Sequence, residues 1–232
     1  MENIFKNENI GVIDILERIL DVVYPQLCGI CGKINTKSLC NKCKIKLEKE
    51  FLFITDSYKT DLQKNFVEHH YFFKYDDLIR KLILSLKFHE KPYIYKTISY
   101  FLQNNQKNFE NLKKYDIIII VPISKKRQKE RGYNQSELFA REISDIINAQ
   151  IIKNILHKMK ETPPQSTLNK KQREENVKNV YKVGKIQKIM DKRILLVDDI
   201  YTTGNTINEC ARILVQAGID RKQIGVLTIA KD

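Results

Sequence analysis

The segment Ile194-Leu-Leu-Val-Asp-Asp-Ile-Tyr-Thr-Thr-Gly-Asn-Thr206 combines a short apolar run, two adjacent carboxylates and a Thr/Gly turn. The apolar run predicts a buried strand over residues 193–198, and the residues after the turn predict a helix over Thr206–Gln216. The first turn of a helix has unpaired backbone N–H groups and the positive end of the helix dipole, so it can hold a phosphate. This strand, turn and helix are therefore a candidate phosphate site.

The polar residues of the segment suggest what carries that phosphate. The carboxylates of Asp198 and Asp199 can accept hydrogen bonds from two vicinal ribose hydroxyls, while the turn adds hydroxyl donors and a glycine that allows close approach. The pattern predicts a site for a 5′-phosphorylated ribose. The alternative is an ordinary strand–loop–helix in which an aspartate only caps the turn. The predicted phosphate-binding residues are Thr202, Thr203, Gly204, Asn205 and Thr206.

Outward from this segment, apolar runs of strand length alternate with helical patterns. Strands are predicted over 66–75, 116–121 and 223–230, and helices over 11–23, 76–87, 93–105 and 134–149. Gly218 is placed to end the helix that follows the phosphate turn, and Cys210 within that helix is expected to be a small buried core residue. Such alternation predicts an α/β protein with a mostly parallel sheet flanked by helices.

Composition excludes several classes of protein. Hydrophobic residues make up 42% of the 232 residues and Gly plus Pro only 13, so a packed core is expected and disorder is not. The longest apolar run falls far short of the ~20 residues that span a bilayer. The first residues, MENIFKNENIGVID, show neither the basic start nor the cleavage site of a signal peptide. We expect a cytoplasmic protein.

Four of the five cysteines form a C-x2-C-x8-C-x2-C pattern at Cys28, Cys31, Cys40 and Cys43. Two knuckles with this spacing can place four thiolates at the corners of a tetrahedron, which is the geometry that Zn²⁺ prefers. Four protein ligands leave no open position, so the zinc is expected to be structural. A pair of disulfides is the alternative, and a reducing compartment disfavours it.

The net charge of +13 is concentrated in residues 107–135 and 153–193, which carry +5 and +8. Clustered positive charge predicts a polyanionic partner, such as nucleic acid or a pyrophosphate, whereas a solvated lysine-rich surface is the alternative. We expect single-stranded DNA to bind with little sequence preference, and an aromatic side chain in the first block could stack on a base. The residues assigned to nucleic acid are Lys125, Lys126, Arg127, Lys129, Arg131, Tyr133, Lys170 and Lys171.

The 197–206 motif resembles the 5-phosphoribosyl 1-pyrophosphate (PRPP) motif of type I phosphoribosyltransferases. Together with the preceding cysteine pattern, it makes residues 11–230 similar to the ComF family, competence-associated proteins related to those transferases. Arg131-Gly-Tyr-Asn-Gln135 resembles the family's Arg-Gly-Phe-Asn-Gln segment, and residues 156–181 resemble the mobile catalytic loop. In that loop Lys158 and Gln165 are expected to bind PRPP, and Arg173 is expected to be catalytic.

One segment departs from the family pattern. Residues 78–90 resemble the element that ends in the pyrophosphate loop, where Lys87 remains as a cation, but His89-Glu90 replaces the usual Arg-Gly. A carboxylate near pyrophosphate is repulsive unless it points away or shares a Mg²⁺. If the chain is a transferase, Asp198 and Asp199 would hold the ribose, while Mg²⁺ and Lys87 would offset charge on the leaving pyrophosphate.

The resemblance implies a type I phosphoribosyltransferase-like domain over residues 51–232, preceded by an N-terminal helix and zinc module over 1–50. It also implies binding of PRPP with Mg²⁺, handling of incoming single-stranded DNA during natural transformation, and contacts with competence or DNA-processing proteins. Two alternatives remain. One is an active salvage-type phosphoribosyltransferase without a DNA role, and the other is a non-enzymatic PRPP sensor that acts through the zinc module.

Overall fold

The computed structural model describes residues 27–28, 30–34, 39–88, 93–161 and 179–232. Its helices are α1 Asn41–Glu50, α2 Asp77–Phe88, α3 Tyr93–Asn104, α4 Lys125–Arg131, α5 Gln135–Ile147 and α6 Asn205–Gln216, with 3-10 turns at Gln106–Leu112 and Arg221–Gln223. Its strands are β1 Ile54–Ser57, β2 Glu68–Lys74, β3 Ile117–Ile120, β4 Gln150–Ile151, β5 Leu156–Lys158, β6 Tyr181–Val183, β7 Ile194–Tyr201 and β8 Ile224–Lys231.

Six strands form one sheet in the order β1-β2-β8-β7-β3-β4. Every neighbouring pair in it is parallel except β1 with β2, and β5 and β6 form a separate antiparallel hairpin. The predicted mostly parallel α/β sheet with flanking helices is therefore confirmed. Among the described residues, no helix is long and apolar enough to cross a membrane.

Alternate residues of the central strands supply a hydrophobic core on each face of the sheet. On one face Leu195 and Val197 pack with residues of α2, α3 and α5, and the buried Cys28 and Cys43 join the same cluster. On the other face Ile194 and Leu196 pack with α6 and with the β5–β6 hairpin. Both faces of the sheet are covered, which is why β7 begins with four fully buried apolar residues in succession.

The predicted elements that fall within the described residues are confirmed. The strands predicted over 66–75, 116–121, 193–198 and 223–230 are β2, β3, β7 and β8, and the helices predicted over 76–87, 93–105, 134–149 and 206–216 are α2, α3, α5 and α6. The helix predicted over 11–23 lies outside the described residues. The sequence analysis missed α1, β1, α4, β4 and the β5–β6 hairpin.

Local details of α6 also agree with expectation. Gly218 follows the helix with φ 110°, and the N–H of the next residue donates to the carbonyl of Leu214 across 3.1 Å. This bond closes the last turn in the way that a glycine in the left-handed conformation allows. Cys210 is fully buried within α6, as predicted.

Candidate functional site

The candidate site lies where the carboxyl ends of β3 and β7 meet. These strands are parallel neighbours, but the chain leaves β3 toward β4 at one edge and leaves β7 toward β8 on the other side. The connections diverge at this point, and the resulting crevice is where open parallel sheets bind ligands. The segment after β7 is the predicted phosphate turn, and the segment after β3 contains α4.

The phosphate turn is shaped by Gly204. This residue caps the N-terminus of α6 in the left-handed conformation, with φ 73°. A Cβ at this position would stand 2.2 Å from Cζ of Tyr201, so only glycine fits between the turn and that buried ring. The N–H of Asn205 contacts the Thr203 hydroxyl oxygen at 3.5 Å, and the Asn205 side-chain nitrogen is buried without a hydrogen-bond partner. A helix N-terminus and an unpartnered donor thus lie in the same turn.

Asp198 is fixed by the element that follows β3. Its Oδ1 accepts a 3.0 Å hydrogen bond from the Ser136 hydroxyl, in the first turn of α5, and a 2.9 Å bond from the N–H of Asp199. Asn134 caps α5 by accepting from the N–H of Ser136, and its side-chain nitrogen donates to the carbonyl of Val121. The start of α5 is therefore tied both to the end of β3 and to the acid on β7.

Cationic side chains surround the two acids. Burial lowers the pKa of Arg131, and the negative charge of Asp199 acts in the opposite direction. Burial and the charge of Arg127 lower the pKa of Lys158, while Asp198 is among the acids that oppose this shift. Lys158 also lies 5.7 Å above the ring of Tyr181, its partner across the β5–β6 hairpin. Two elements, α4 and β5, thus bring positive charge toward one pair of carboxylates.

The short helix α4 presents its basic residues on two sides. Arg127 and Arg131, four residues apart and therefore on one face, are half-buried and interact electrostatically with the groups around the acids. Lys125, Lys126 and Lys129 are exposed. The predicted nucleic-acid block is thus divided between a site-facing pair and an outward-facing set of lysines.

The structure describes the remaining predicted site residues in less detail. Tyr133 is half-buried, and burial raises the pKa of its hydroxyl. The backbone of Lys87 lies in the last turn of α2, the helix that follows β2, and β2 is separated from β7 by β8. Gln165, Lys170, Lys171, Arg173 and the His89-Glu90 pair lie outside the described residues.

The four predicted cysteine ligands come together. Their sulfur atoms all lie within 4.8 Å of one another, and the sulfurs of Cys31 and Cys40 are 3.9 Å apart. A tetrahedron with zinc–sulfur bonds of about 2.3 Å has corners about 3.8 Å apart, so the cluster has the right size for that ion. The first knuckle is closed by a 2.9 Å bond from the N–H of Gly32 to the carbonyl of Cys28, with φ 69° at Gly32.

The thiols of this cluster are electrostatically unlike one another. Burial raises the pKa of Cys28, but backbone hydrogen bonds at Cys31, Cys40 and Ile30 outweigh it and lower that pKa to about 6. Burial and the neighbouring sulfurs raise the pKa of Cys43 well above its usual value. A cation shared by the four sulfurs would hold them all as thiolates, so the cluster fits a metal ion.

Several site residues were not singled out as ligands or supports by the sequence analysis. Ser136 and Asn134 carry no motif of their own, although they lie in or next to the Arg131–Gln135 segment. Tyr201 lies inside the phosphate motif, but only the packed structure shows that its ring abuts Gly204. The side of α4 on which Arg127 lies could have been inferred from its four-residue spacing to Arg131 once a helix was predicted there.

Comparison with known proteins gives relatives that align over most of this chain. Competence protein F of Haemophilus influenzae is 29% identical over 212 residues, which cover 88% of this chain and 91% of that protein. Competence protein ComFC of Bacillus subtilis is 24% identical over 202 residues, 86% of this chain and 75% of that protein.

A third relative matches over a shorter range. DNA utilization protein YhgH of Escherichia coli (strain K12) is 30% identical over 112 residues, 48% of each chain. No family model matches the chain. With the mostly parallel sheet, the cysteine cluster and two competence proteins that align over most of its length, the chain is similar to the competence proteins of the ComF family.

Proposed function

We propose that the chain binds PRPP together with Mg²⁺ at the crevice between β3 and β7. The observation that carries this proposal is the convergence of Asp198 and Asp199 with the Gly204 turn and with Arg127, Arg131 and Lys158. A ligand that pairs with this site needs a phosphate, neighbouring hydroxyls and a second, more negative group. PRPP has all three.

Each part of the ligand has a proposed partner. The 5′-phosphate binds the turn Thr202–Thr206, where the N-terminus of α6 and the unpartnered Asn205 nitrogen offer donors. The ribose hydroxyls donate to Asp198 and Asp199, and the pyrophosphate lies near the two site-facing arginines and Lys158. Mg²⁺ prefers oxygen ligands, so the carboxylates and the phosphate oxygens suit it, and it would offset charge on the pyrophosphate. Lys87, Gln165 and Arg173 complete the proposed site.

We also propose that the protein handles incoming single-stranded DNA during competence. Relatives over most of the chain are called competence proteins, and another is called a DNA utilization protein. The exposed residues Lys125, Lys126 and Lys129 of α4 offer a positive surface outside the PRPP crevice. Lys170, Lys171 and Tyr133 are proposed to extend this surface, and competence or DNA-processing proteins are the proposed protein partners.

The cysteine cluster is proposed to hold a structural Zn²⁺ in a module over residues 1–50, next to a phosphoribosyltransferase-like domain over 51–232. If all four sulfurs bind the metal, no coordination position remains open for a substrate. We propose that the protein acts in the cytoplasm, where thiols stay reduced and PRPP would be available.

Isothermal titration of the protein with PRPP and Mg²⁺ tests the first proposal. We expect saturable binding that needs Mg²⁺, and ribose 5-phosphate as a weaker ligand because it lacks the pyrophosphate. No heat of binding with PRPP at millimolar concentration would contradict the proposal. Pyrophosphate release in the presence of a panel of nucleobases would instead favour the salvage enzyme. PRPP binding with neither turnover nor DNA binding would favour the sensor.

A further inference from the structure

A cleft of about 230 Å³ lies beside α4 at the carboxyl end of β3, on the side toward β4. Clefts that hold drug-sized ligands are usually about 300–1,000 Å³, so this one fits a group the size of a single heterocycle. Its apolar wall consists of Ile119, Ile120, Pro122, Ile123, Ile152, Ile155 and Leu156.

The polar part of the cleft contains two exposed side-chain amides. Gln128 comes from α4 and Asn154 from the segment between β4 and β5, where it adopts the left-handed conformation with φ 64°. Glu137 and Lys153, which form a 2.7 Å ion pair, also line it. An amide offers both a donor and an acceptor, so the two amides can pair with the polar edge of a planar ring.

The helix that provides Gln128 also carries the exposed lysines. Lys125 is three residues before Gln128 and is its neighbour on the helix surface, and Lys129 follows directly. A polyanionic strand that passes over these lysines would therefore run along the mouth of the cleft. Asp198 and the phosphate turn belong to β7 and the segment after it, on the opposite side of β3 from β4, and none of these residues lines the cleft. Asn134 is where the two regions adjoin, because it lines the cleft and also caps the helix whose Ser136 bonds to Asp198.

We propose that the cleft binds one unstacked base of single-stranded DNA while the lysines of α4 hold the adjacent phosphates. Isoleucine and proline side chains contact the faces of the base, and Gln128 and Asn154 bond to its edge. Because each amide can present either a donor or an acceptor, all four bases are accommodated and sequence preference stays small. This inference rests on the proposed DNA role and specifies how the strand is held.

Fluorescence anisotropy with two oligonucleotides tests the inference: a labelled 12-mer of thymidine and the same 12-mer carrying abasic sites, at one salt concentration. The wild-type protein should bind the base-containing strand roughly 5- to 150-fold more tightly than the abasic strand. Gln128→Trp fills the cleft from an exposed position and should remove this preference without changing the salt dependence. Gln106→Trp, an exposed glutamine on a remote 3-10 turn, should keep it.

The outcomes separate the inference from the function on which it rests. If the wild-type protein binds the two strands with equal affinity, the cleft does not hold a base. DNA binding through phosphate contacts would still stand. A preference that survives in both Gln128→Trp and Gln128→Leu also overturns the inference, because leucine offers no ring for stacking and the base must then bind elsewhere, as on Tyr133. Failure of either strand to bind at low salt overturns both the inference and the proposed DNA role. Circular dichroism melts of Gln128→Trp and of the milder Gln128→Leu, compared with the wild type, test whether both variants keep the fold.

Discussion

The ring of Tyr201 lies directly against the backbone of Gly204, and a Cβ on residue 204 would stand 2.2 Å from both Cζ and Oη of the ring. Tyr201 is itself held in place, because its ring stacks on His69 with centroids 4.3 Å apart and its carbonyl accepts from the N–H of Asp232. The turn that starts α6 therefore has one available shape. Its glycine is required by contact as well as by conformation.

Gly204→Ala should distort this turn and destabilise the protein. The left-handed conformation alone costs a residue with a Cβ roughly 1–2 kcal/mol, and the clash with Tyr201 adds to that cost. Gly132→Ala is the matched control, since Gly132 has φ 77° but no atom within 4 Å of its would-be Cβ. Urea denaturation should show a larger loss of unfolding free energy for Gly204→Ala than for Gly132→Ala. Equal losses would mean that the turn yields to the extra methyl group.

Asp199→Asn should weaken PRPP binding. The change removes a charged acceptor for a ribose hydroxyl, and such a hydrogen bond contributes about 1.5–3 kcal/mol, or roughly 10- to 150-fold in affinity. Asp198→Asn should have an additional effect on the fold, since Asp198 also accepts from Ser136. Asp191→Asn, the same change at an exposed turn residue, is the control. If calorimetry gives Asp199→Asn the same PRPP affinity as the wild type, the ribose hydroxyls do not bind Asp199.

Two adjacent buried histidines predict how stability depends on pH. His69 and His70 are fully buried, and burial lowers the pKa of His69 to about 3 and of His70 to about 4. In the unfolded chain both would bind a proton near pH 6.5, so the unfolded state takes up protons first as the pH falls. Stability is therefore full above pH 6.5 and declines between 6.5 and about 4, by roughly 1.4 kcal/mol per pH unit for each histidine.

Urea denaturation at several pH values between 7 and 4.5 measures this slope. His70→Gln should make the slope shallower by roughly 1.4 kcal/mol per pH unit, the contribution of one histidine. His157→Gln, a change at an exposed histidine, should leave the slope unaltered. His70 also bonds to Thr55 and Tyr115 and lies 3.5 Å from Glu68, so His70→Gln lowers the absolute stability as well. The slope, rather than the midpoint, is the quantity to compare. A wild-type stability that stays constant down to pH 4.5 would contradict the prediction.

Zinc removal should destabilise the cysteine segment together with the core that it joins. Cys28 and Cys43 share a hydrophobic cluster with Phe72 and Phe101, so loss of the metal loosens packing on that face of the sheet. Cys40→Ser should abolish bound zinc, measured by inductively coupled plasma mass spectrometry, and lower the melting temperature. Cys210→Ser, at the buried cysteine of α6, should keep one zinc per chain. A wild-type protein that is purified without zinc and is unaffected by chelator would refute the structural role.

The parts of this structure that depend on local sequence were predictable, and those that depend on contacts between distant segments were not. Apolar runs identified β2, β3, β7 and β8, helical periodicity identified α2, α3, α5 and α6, and the cysteine spacing predicted the cluster. The bond from Ser136 to Asp198 joins residues 62 positions apart and has no local signal. Strand β1 reads Ile-Thr-Asp-Ser, which is too polar and too short to suggest a strand, and it forms because β2 offers a paired edge. The seven-residue α4 has no apolar stripe that would show which of its faces is buried. Only its position beside the site distinguishes its half-buried arginines from its exposed lysines.

The last prediction concerns the lysines of α4. Contact with about four or five phosphates of single-stranded DNA would give a log–log salt slope near −3, at about 0.7 per phosphate. Lys125→Ala/Lys126→Ala removes two exposed charges and should make the slope shallower by about 1.4, provided that each lysine meets one phosphate. Arg127 is left in place because its charge acts on Arg131 and Lys158 of the proposed PRPP crevice. Lys46→Ala/Lys49→Ala, two exposed lysines of α1, is the charge-matched control and should keep the wild-type slope.

Anisotropy titrations across a range of salt concentrations measure these slopes. Equal slopes for the two double variants would place the DNA away from α4, whereas a shallower slope in Lys125→Ala/Lys126→Ala alone, with unchanged PRPP affinity, would show that DNA and PRPP use different faces of this helix.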